Sequence, residues 1–304
     1  MSEAPAGAGE RAGPEPAPPR ALARTLPGGV GGAVRGGLSL LPALAVLGFV
    51  GLALAAPLLA PHDPVLPAPG AGMLLPPGSE GFPLGTDSFG RDQLSRLIFG
   101  ARPLVLTAVL SVALAVLAGG LLGLAAGVEG GPVGAVIMRT MDVLLSFPLI
   151  LAAILVVAAL GPGTLNMTLA IAASQVPVFA RLAQSLAAGE AARDYVLAAR
   201  ALGFGRWRVM LSEVAPNVAP ALLVQATSAV STAALTSAAL SYLGLGVQPP
   251  TPDWGYMVKE AQEFIFFAPE QAIIPGALIA LFSLACAFAG DAATARMRRR
   301  EEMR

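Results

Sequence analysis

Six apolar runs, each near the length that crosses a lipid bilayer, divide this chain of 304 residues. A helix rises about 1.5 Å per residue, so roughly 20 apolar residues cross a hydrocarbon layer about 30 Å thick. Inside lipid the backbone must satisfy its own hydrogen bonds, which makes each such run a helix. The sequence therefore predicts an all-α integral membrane protein with six transmembrane helices. The runs cover residues 38–60, 103–127, 143–160, 165–180, 220–245 and 272–289.

The overall composition agrees with a membrane protein. Charged residues make up 12% of the chain and hydrophobic residues 55%, whereas about 25% of the residues of a soluble domain are charged. The runs at 143–160 and 165–180 are the shortest, and we expect their flanks at 138–141 and 182–186 to extend them as helix. Cys286, the single cysteine, lies in an apolar run, which predicts a buried, unreactive thiol.

The basic residues predict how the spans are oriented. With the N-terminus inside, the inner segments contain fifteen of the nineteen Lys and Arg residues and the outer segments contain four. Cytoplasmic loops carry the excess of positive charge in membrane proteins. Both termini are therefore predicted to be cytoplasmic, and so is the polar segment at 190–217.

Segments outside the spans are read from composition. Residues 1–37 are rich in Pro, Gly and Ala, which predicts a disordered cytoplasmic tail, and residues 292–304 form a basic cytoplasmic tail. A cleaved signal peptide is disfavoured because the run at 38–60 exceeds the usual apolar length of about 7–15 residues. Residues 38–101 then comprise the first span and an extracytoplasmic segment.

A short helix is predicted near the end of that extracytoplasmic segment. Asp87 or Ser88 is a candidate N-cap. One apolar face follows at helical spacing, which fits a helix lying in the membrane interface or, equally, a helix packed on the spans. That face consists of Leu94, Leu97, Ile98 and Ala101.

The positions of the charged residues bear on whether the chain is a carrier driven by an ion gradient. No Asp, Glu, Lys, Arg or His lies in the middle of a predicted span, whereas carriers driven by ion gradients use buried ionisable groups. A secondary carrier is therefore disfavoured, although a passive channel stays open. The sole lysine, Lys259, is not part of a P-loop, so this chain is not expected to hydrolyse ATP by that route.

Other function classes are disfavoured by missing residues. An intramembrane protease or lipid transferase needs a Ser/His, paired-Asp or HExxH set, none of which the sequence contains. The only histidine, His62, precedes Asp63 in a turn-like PHDP segment, so we expect no metal site and no cofactor in this chain. The zero formal net charge favours no nucleic-acid partner.

A polar stripe runs along the predicted fifth span, and a second polar group lies in the fourth. Helical spacing places four hydroxyl and amide residues on one side of the fifth span. The stripe fits the lining of a hydrated translocation path, but small polar residues also permit close packing between helices. The path candidates are Gln225, Ser228, Thr232, Thr236 and, in the fourth span, Gln175.

The polar segment at 190–217 predicts two helices joined by a corner. Residues 190–202 contain no Gly or Pro and favour helix, whereas Gly203 and Gly205 favour a break. A second amphipathic piece, RWRVMLSEV, leads to Pro216, where a new span is expected to begin. Small residues permit close approach of a partner, and Phe204 and Trp207 are candidate anchors.

This segment resembles the EAA loop of ATP-binding-cassette (ABC) importer permeases. The resemblance rests on Ala198 and Ala199, on Gly203 four residues after Ala199, and on Pro216 thirteen residues further on. Other stretches resemble the C-type permease of the dipeptide/oligopeptide (nickel) family. They are PLGTDSFGRDQLSRLIFGAR (83–102), RTMDVLLSFP (139–148), LGPG (160–163) and LSYLGLGVQPPTPDWGYMV (240–258).

The resemblance implies a fold, a function and partners. It implies a type-1 ABC importer permease domain at 102–291 in a bacterial-type inner membrane, without catalytic activity of its own. The implied partners are a homologous second permease, two ATPases that bind ATP and Mg²⁺, an extracytoplasmic substrate-binding protein and membrane lipid. The implied ATPase-docking residues are Tyr195, Ala198, Ala199, Arg200, Leu202, Gly203, Phe204 and Trp207.

Three positions depart from the family pattern, and the substrate stays open. Leu197 stands at the leading acid of the motif, Glu213 where a basic residue is more usual, and Ala215 where a larger hydrophobic residue is usual. Related permeases carry dipeptides, oligopeptides, nickel complexes and other small solutes. Peptides are expected, with nickel or another small solute as the alternative.

Overall fold

The computed structural model describes residues 40–302. The predicted tail at 1–37, residues 38 and 39 of the first predicted span, and residues 303 and 304 lie outside the described residues. Within the described range the chain forms helices joined by turns. They are α1 (Leu41–Leu59), α2 (Gln93–Glu129), α3 (Gly131–Leu145), α4 (Leu149–Leu160), α5 (Thr164–Ala191), α6 (Asp194–Ala201), α7 (Arg206–Tyr242), α8 (Trp254–Ala261) and α9 (Glu270–Glu302).

Five of these helices are long and apolar enough to cross a membrane. They are α1, α2, α5, α7 and α9. The pair α3 and α4 passes the same test together but is bent by 93°, and it makes a sixth span if counted as one. The predicted third span at 143–160 is therefore not one straight helix. It breaks at 146–148, where Pro148 precedes α4 and cannot donate a backbone hydrogen bond.

Cross-contacts define two ends of the helix bundle. At the end we call the Arg96 end, the start of α2 meets α8, and Gln271 at the start of α9 donates to the Thr86 carbonyl at 2.8 Å. At the opposite Gly203 end, the end of α2 meets α6, where Arg200 Nη2 donates to the Val128 carbonyl at 3.0 Å. Helices α2, α5 and α9 run from the Arg96 end towards the Gly203 end, and α7 runs in the opposite direction.

Helix α2 corrects the predicted short helix at residues 94–101. Asp92, not Asp87 or Ser88, caps the helix by accepting from the backbone amides of Leu94 and Ser95. The helix then continues through Pro103 for 37 residues, so the short helix and the second span are one element. Its first turns are packed on other helices, which is the second of the two predicted alternatives. Leu97, Ile98 and Ala101 are buried.

Closely packed glycines join α2 to α5 along the centre of the bundle. Gly119, Gly123 and Gly127 are spaced four apart, and a Cβ on any of them would lie within 2.2–2.6 Å of a carbonyl oxygen of α5. Small residues let membrane helices approach backbone to backbone, where dispersion forces and weak hydrogen bonds stabilise the pair. A side chain at Gly123 would therefore separate the two helices.

Helix α1 is held to α2 by an arginine. Pro57 lies inside α1 and has no amide hydrogen for the carbonyl of Ala53, four residues earlier. Arg102 Nε donates to that carbonyl oxygen at 2.6 Å. A guanidinium therefore satisfies the acceptor that the proline leaves free, and α1 is fixed against α2 at this level.

Candidate functional site

The polar segment at the Gly203 end turns at the predicted corner. Helix α6 ends at Ala201, and Gly203 has a φ of +83°, a conformation that L side chains rarely adopt. Its amide donates to the Arg200 carbonyl at 3.0 Å, and the Phe204 amide donates to Ala199 at 3.2 Å. A Cβ at Gly203 would meet nothing within 4 Å, so glycine is favoured here by backbone conformation and not by space.

The segment before the corner is two helices and not the single helix predicted at 190–202. Helix α5 extends to Ala191, the chain turns at Ala192 and Arg193, and α6 begins at Asp194. No Gly or Pro marks this turn, so local propensity does not reveal it. The turn places Val196, which is fully buried, against the bundle, and this burial outweighs helix continuation.

The predicted docking residues divide between the surface and the bundle. Leu202 and Trp207 are 77% and 69% exposed, and Tyr195 is 40% exposed. Gly203, Ala198 and Arg200 are also exposed. Ala199, by contrast, is buried, and Phe204 is half-buried and packs on the core.

Phe204 differs from Trp207 because its ring is half-buried and packs on the core. The guanidinium of Arg208 lies over its ring, 4.1 Å from the centroid. Leu197, at the position of the family's acid, is instead 50% exposed. Three exposed apolar side chains around the Gly203 corner, which we call the loop patch, are Leu197, Leu202 and Trp207.

A cavity of about 300 Å³ lies between the end of α2 and the start of α7. Arg206 Nη1 lies 3.6 Å from Glu129 Oε2 across it, in a loose and exposed ion pair. The cavity walls join the polar segment to the bundle. They are formed by Val128, Glu129, Arg200, Phe204, Arg206 and Val209.

The second predicted helix and the fifth span are one continuous helix, α7, so no new span begins at Pro216. Residues Val209–Val214 within it are π-helical. The amide of Ala215 donates to the Met210 carbonyl, five residues earlier, in place of the usual four. This wider turn lets the helix pass through Pro216, which has no amide hydrogen to donate.

Hydrogen bonds to the Tyr195 hydroxyl connect α5, α6 and α7. The hydroxyl donates to Glu190 Oε1, and Asn217 Nδ2 donates to the hydroxyl at 2.9 Å. The same Asn217 amide donates to the Glu213 carbonyl at 2.9 Å. Sequence reasoning found Tyr195 but missed Asn217, because no local spacing relates residues 22 positions apart.

The path candidates do not form one exposed stripe. Gln225 and Thr232 are exposed, but Thr236 is 3% exposed and donates to the Thr232 carbonyl at 2.8 Å. Ser228 packs closely on α9, since a Cβ on Gly290 would lie 2.1 Å from its hydroxyl oxygen. Gln175 is 4% exposed, and its Nε2 has no hydrogen-bond partner.

The Arg96 end contains a buried ion network that the sequence did not predict. Arg91 Nε lies 2.6 Å and Arg96 Nη1 3.1 Å from Asp87 Oδ2. Both guanidinium groups also pair with Glu260 of α8. The local Asp87–Arg91 spacing of four residues was a visible signal, whereas Glu260 lies 164 residues beyond Arg96.

The predicted His62–Asp63 turn forms, and its two side chains have separate partners. Asp63 Oδ1 accepts from the amides of Val65 and Leu66. His62 Nδ1 lies 3.3 Å from Asp92 Oδ2. Among residues 40–302, no cluster of three or more His, Cys, Asp or Glu residues is arranged to hold a metal ion.

Comparison with known proteins identifies a family and several relatives of this chain. The family model described as "Binding-protein-dependent transport system inner membrane component" matches residues 119–302, more than half of the chain. A di/tripeptide transport system permease protein of Pseudomonas aeruginosa is 45% identical over 79% of this chain and 80% of its own length. A dipeptide transport system permease protein of Haemophilus influenzae is 39% identical over 79% of this chain and 83% of its own length.

A solved structure shows the same fold at greater distance. The crystal structure of an amino acid ABC transporter with histidines matches 68% of this chain and 94% of its own chain, with a TM-score of 0.50 and 21% identity. The predicted type-1 ABC importer permease fold and the resemblance to peptide permeases are thus confirmed. The chain is a multi-pass permease of the ABC importer type, and it belongs to the family of inner membrane components of binding-protein-dependent transport systems.

Proposed function

We propose that this chain is the C-type permease subunit of an ATP-driven peptide importer, in which it forms half of the translocation path. The relatives are named as permeases for di- and tripeptides and for dipeptides, and they cover about four fifths of the chain. A third relative, a probable D,D-dipeptide permease of Escherichia coli, is 37% identical over 77% of this chain. This agreement favours peptides over nickel or other small solutes.

The energy for transport enters from separate ATPase subunits, which bind ATP and Mg²⁺. The complete importer then contains this chain, a homologous permease, two ATPases and an extracytoplasmic peptide-binding protein. The excess of basic residues in the predicted inner segments supports a cytoplasmic location for the Gly203 end and both termini.

The loop patch is the ATPase-docking surface in this proposal. The single observation that carries it is the exposure of Trp207 and Leu202, at 69% and 77%, on an otherwise charged segment. Large side chains exposed outside an apolar span mark an interaction site, and aromatic anchors dominate the energy of such interfaces. The buried Ala199 and the half-buried Phe204 support the patch from behind and do not contact the partner.

The test truncates the two most exposed side chains of the loop patch and leaves the buried residues of the bundle unchanged. In the complete importer, Trp207→Ala and Leu202→Ala together are expected to release the ATPases during affinity purification and to abolish ATP-driven uptake of a labelled dipeptide. Leu54→Ala on α1, where the native side chain is 73% exposed, is the matched control and should leave both unchanged. Normal ATPase recovery and uptake in the double variant would refute the docking surface.

The substrate class is tested in the same vesicles. A peptide importer takes up labelled dipeptide when ATP is present on the cytoplasmic side of the membrane, and added nickel does not inhibit this uptake. ATP-dependent uptake of nickel without uptake of peptide would refute the proposed peptide substrate but not the assignment as an ATP-driven importer. Flux through the purified chain without ATPases would favour the passive channel.

A further inference from the structure

The side chain of Tyr195, at the start of α6, reaches α7. Along the backbone, α6 and α7 are joined only through residues 202–205, and this connection turns at Gly203. A glycine is a flexible point in the backbone because it can populate more backbone conformations than other residues. Arg200 also ties α6 to the end of α2, which faces the start of α7 across the cavity.

The hydroxyl of Tyr195 supplies a second connection across this corner. Asn217 of α7 donates to it at 2.9 Å, and the Glu213 carbonyl oxygen lies 3.3 Å away. The hydroxyl is oriented by Glu190, whose carboxylate is itself held by Arg193 Nε at 3.0 Å. One phenol group thus holds the end of α5, the start of α6 and the lower part of α7 together.

The contact falls on the π-helical segment at its C-terminal end. Glu213 is within Val209–Val214, and Asn217 lies in the first turn of the regular α-helix that begins at Ala215. A π turn contains one more residue than an α turn, so its loss would shift the adjoining helix by about one residue, or roughly 1.5 Å. Asn217 spans this junction because its side-chain amide bonds both Glu213 and Tyr195.

We propose that Tyr195 is a positioning residue that, through Asn217, fastens α6 to the π-helical segment, so that α6 and the lower part of α7 move together. This inference rests on the proposed function, in which α6 belongs to the ATPase-docking segment. The hydroxyl performs no chemistry and contacts no substrate. Its role is to prevent motion of α6 from being absorbed at Gly203.

The test measures peptide transported per ATP hydrolysed by the complete importer in vesicles. Tyr195→Phe removes only the hydroxyl and keeps the ring, and Asn217→Ala removes the partner from the other side. A single hydrogen bond contributes about 0.5–1.5 kcal/mol, which corresponds to about a two- to twelvefold change, so each variant should lower this ratio by about that much while ATP hydrolysis continues. The double variant should match the single variants, because all three break the same connection.

Tyr242→Phe is the matched control. Its hydroxyl accepts a hydrogen bond from Gln262 at the Arg96 end, so its removal should leave the ratio unchanged. An unchanged ratio in Tyr195→Phe, additive losses in the double variant, or loss of the ATPases from Tyr195→Phe would each overturn the positioning role. Failure of the wild-type complex to couple ATP to uptake would instead refute the proposed function itself.

Discussion

The Arg96 end and the Gly203 end of this bundle both contain arginine–carboxylate pairs, but they hold them differently. The side chains of Arg96 and Arg91 are 2% and 8% exposed and share Asp87 and Glu260. At the Gly203 end, the side chains of Arg206 and Arg193 are 81% and 66% exposed, and each faces one carboxylate. The arginine side chains of these pairs are thus buried at the Arg96 end and exposed at the Gly203 end.

The difference determines what each end is able to do. A buried charge that loses its partner is strongly destabilising. A buried ion network therefore holds the helices that contribute to it in fixed positions. Here those elements are the start of α2 and α8. An exposed pair contributes little and exchanges partners readily, which leaves the Gly203 end free to bind another subunit.

Removal of Asp87 is expected to give the largest effect. Asp87→Ala leaves Arg91 and Arg96 buried with Glu260 as their shared carboxylate and also removes acceptors for two backbone amides. The free energy of unfolding in detergent should fall by about 3–5 kcal/mol. Thermal or denaturant unfolding of the purified chain measures this loss. A decrease in the free energy of unfolding of less than about 1 kcal/mol would contradict a buried ion network that holds α2 and α8 together.

Asp253 provides the next effect, also at the Arg96 end. Its carboxyl caps α8 and is fully buried, and burial raises its pKa from 3.8 to about 6 against the opposing hydrogen bonds. A shift of this size corresponds to about 3 kcal/mol. Because the folded pKa lies above the unfolded one, this contribution to stability is fully present below about pH 4 and is lost as pH rises through 6.

Asp253→Asn should remove that pH dependence, since the amide stays neutral and its oxygen still accepts from the Tyr256 amide. The variant should match the wild type near pH 4 and exceed it by up to about 3 kcal/mol at pH 8. Unfolding curves at several pH values provide the measurement. Parallel pH profiles for the two proteins would show that Asp253 is solvated and ionised throughout.

How far the sequence predicts the structure also differs between regions. The spans and the Gly203 corner were predictable because apolar run length and the left-handed preference of glycine are local properties. The continuity of α2 through Pro103 was not, since proline argues locally for a helix boundary. Burial of Leu97, Ala101 and Leu104 on both sides of the proline favours one helix.

Contacts between distant residues account for the other corrections. The turn at Ala192 and Arg193 carries no Gly or Pro and exists because Val196 packs on the bundle. The Tyr195–Asn217 contact and the Glu260 pairs join helices that no short motif connects. Ala199 shows the consequence for the site: it lies in the predicted docking segment, but its side chain is buried.

The smallest expected effect concerns the exposed ion pair at the Gly203 end. Arg206 is 81% exposed in its side chain and lies 3.6 Å from Glu129 Oε2, beyond normal hydrogen-bond distance. Water and salt screen such a pair, so Arg206→Ala should change the free energy of unfolding by less than about 0.5 kcal/mol. The small difference should be the same in low and high salt, as measured by unfolding in detergent. A salt-sensitive loss of stability above about 1 kcal/mol would mean that ion pairs fix the Gly203 end as firmly as the Arg96 end. The two ends would then not differ in the way that the exposure of their arginines suggests.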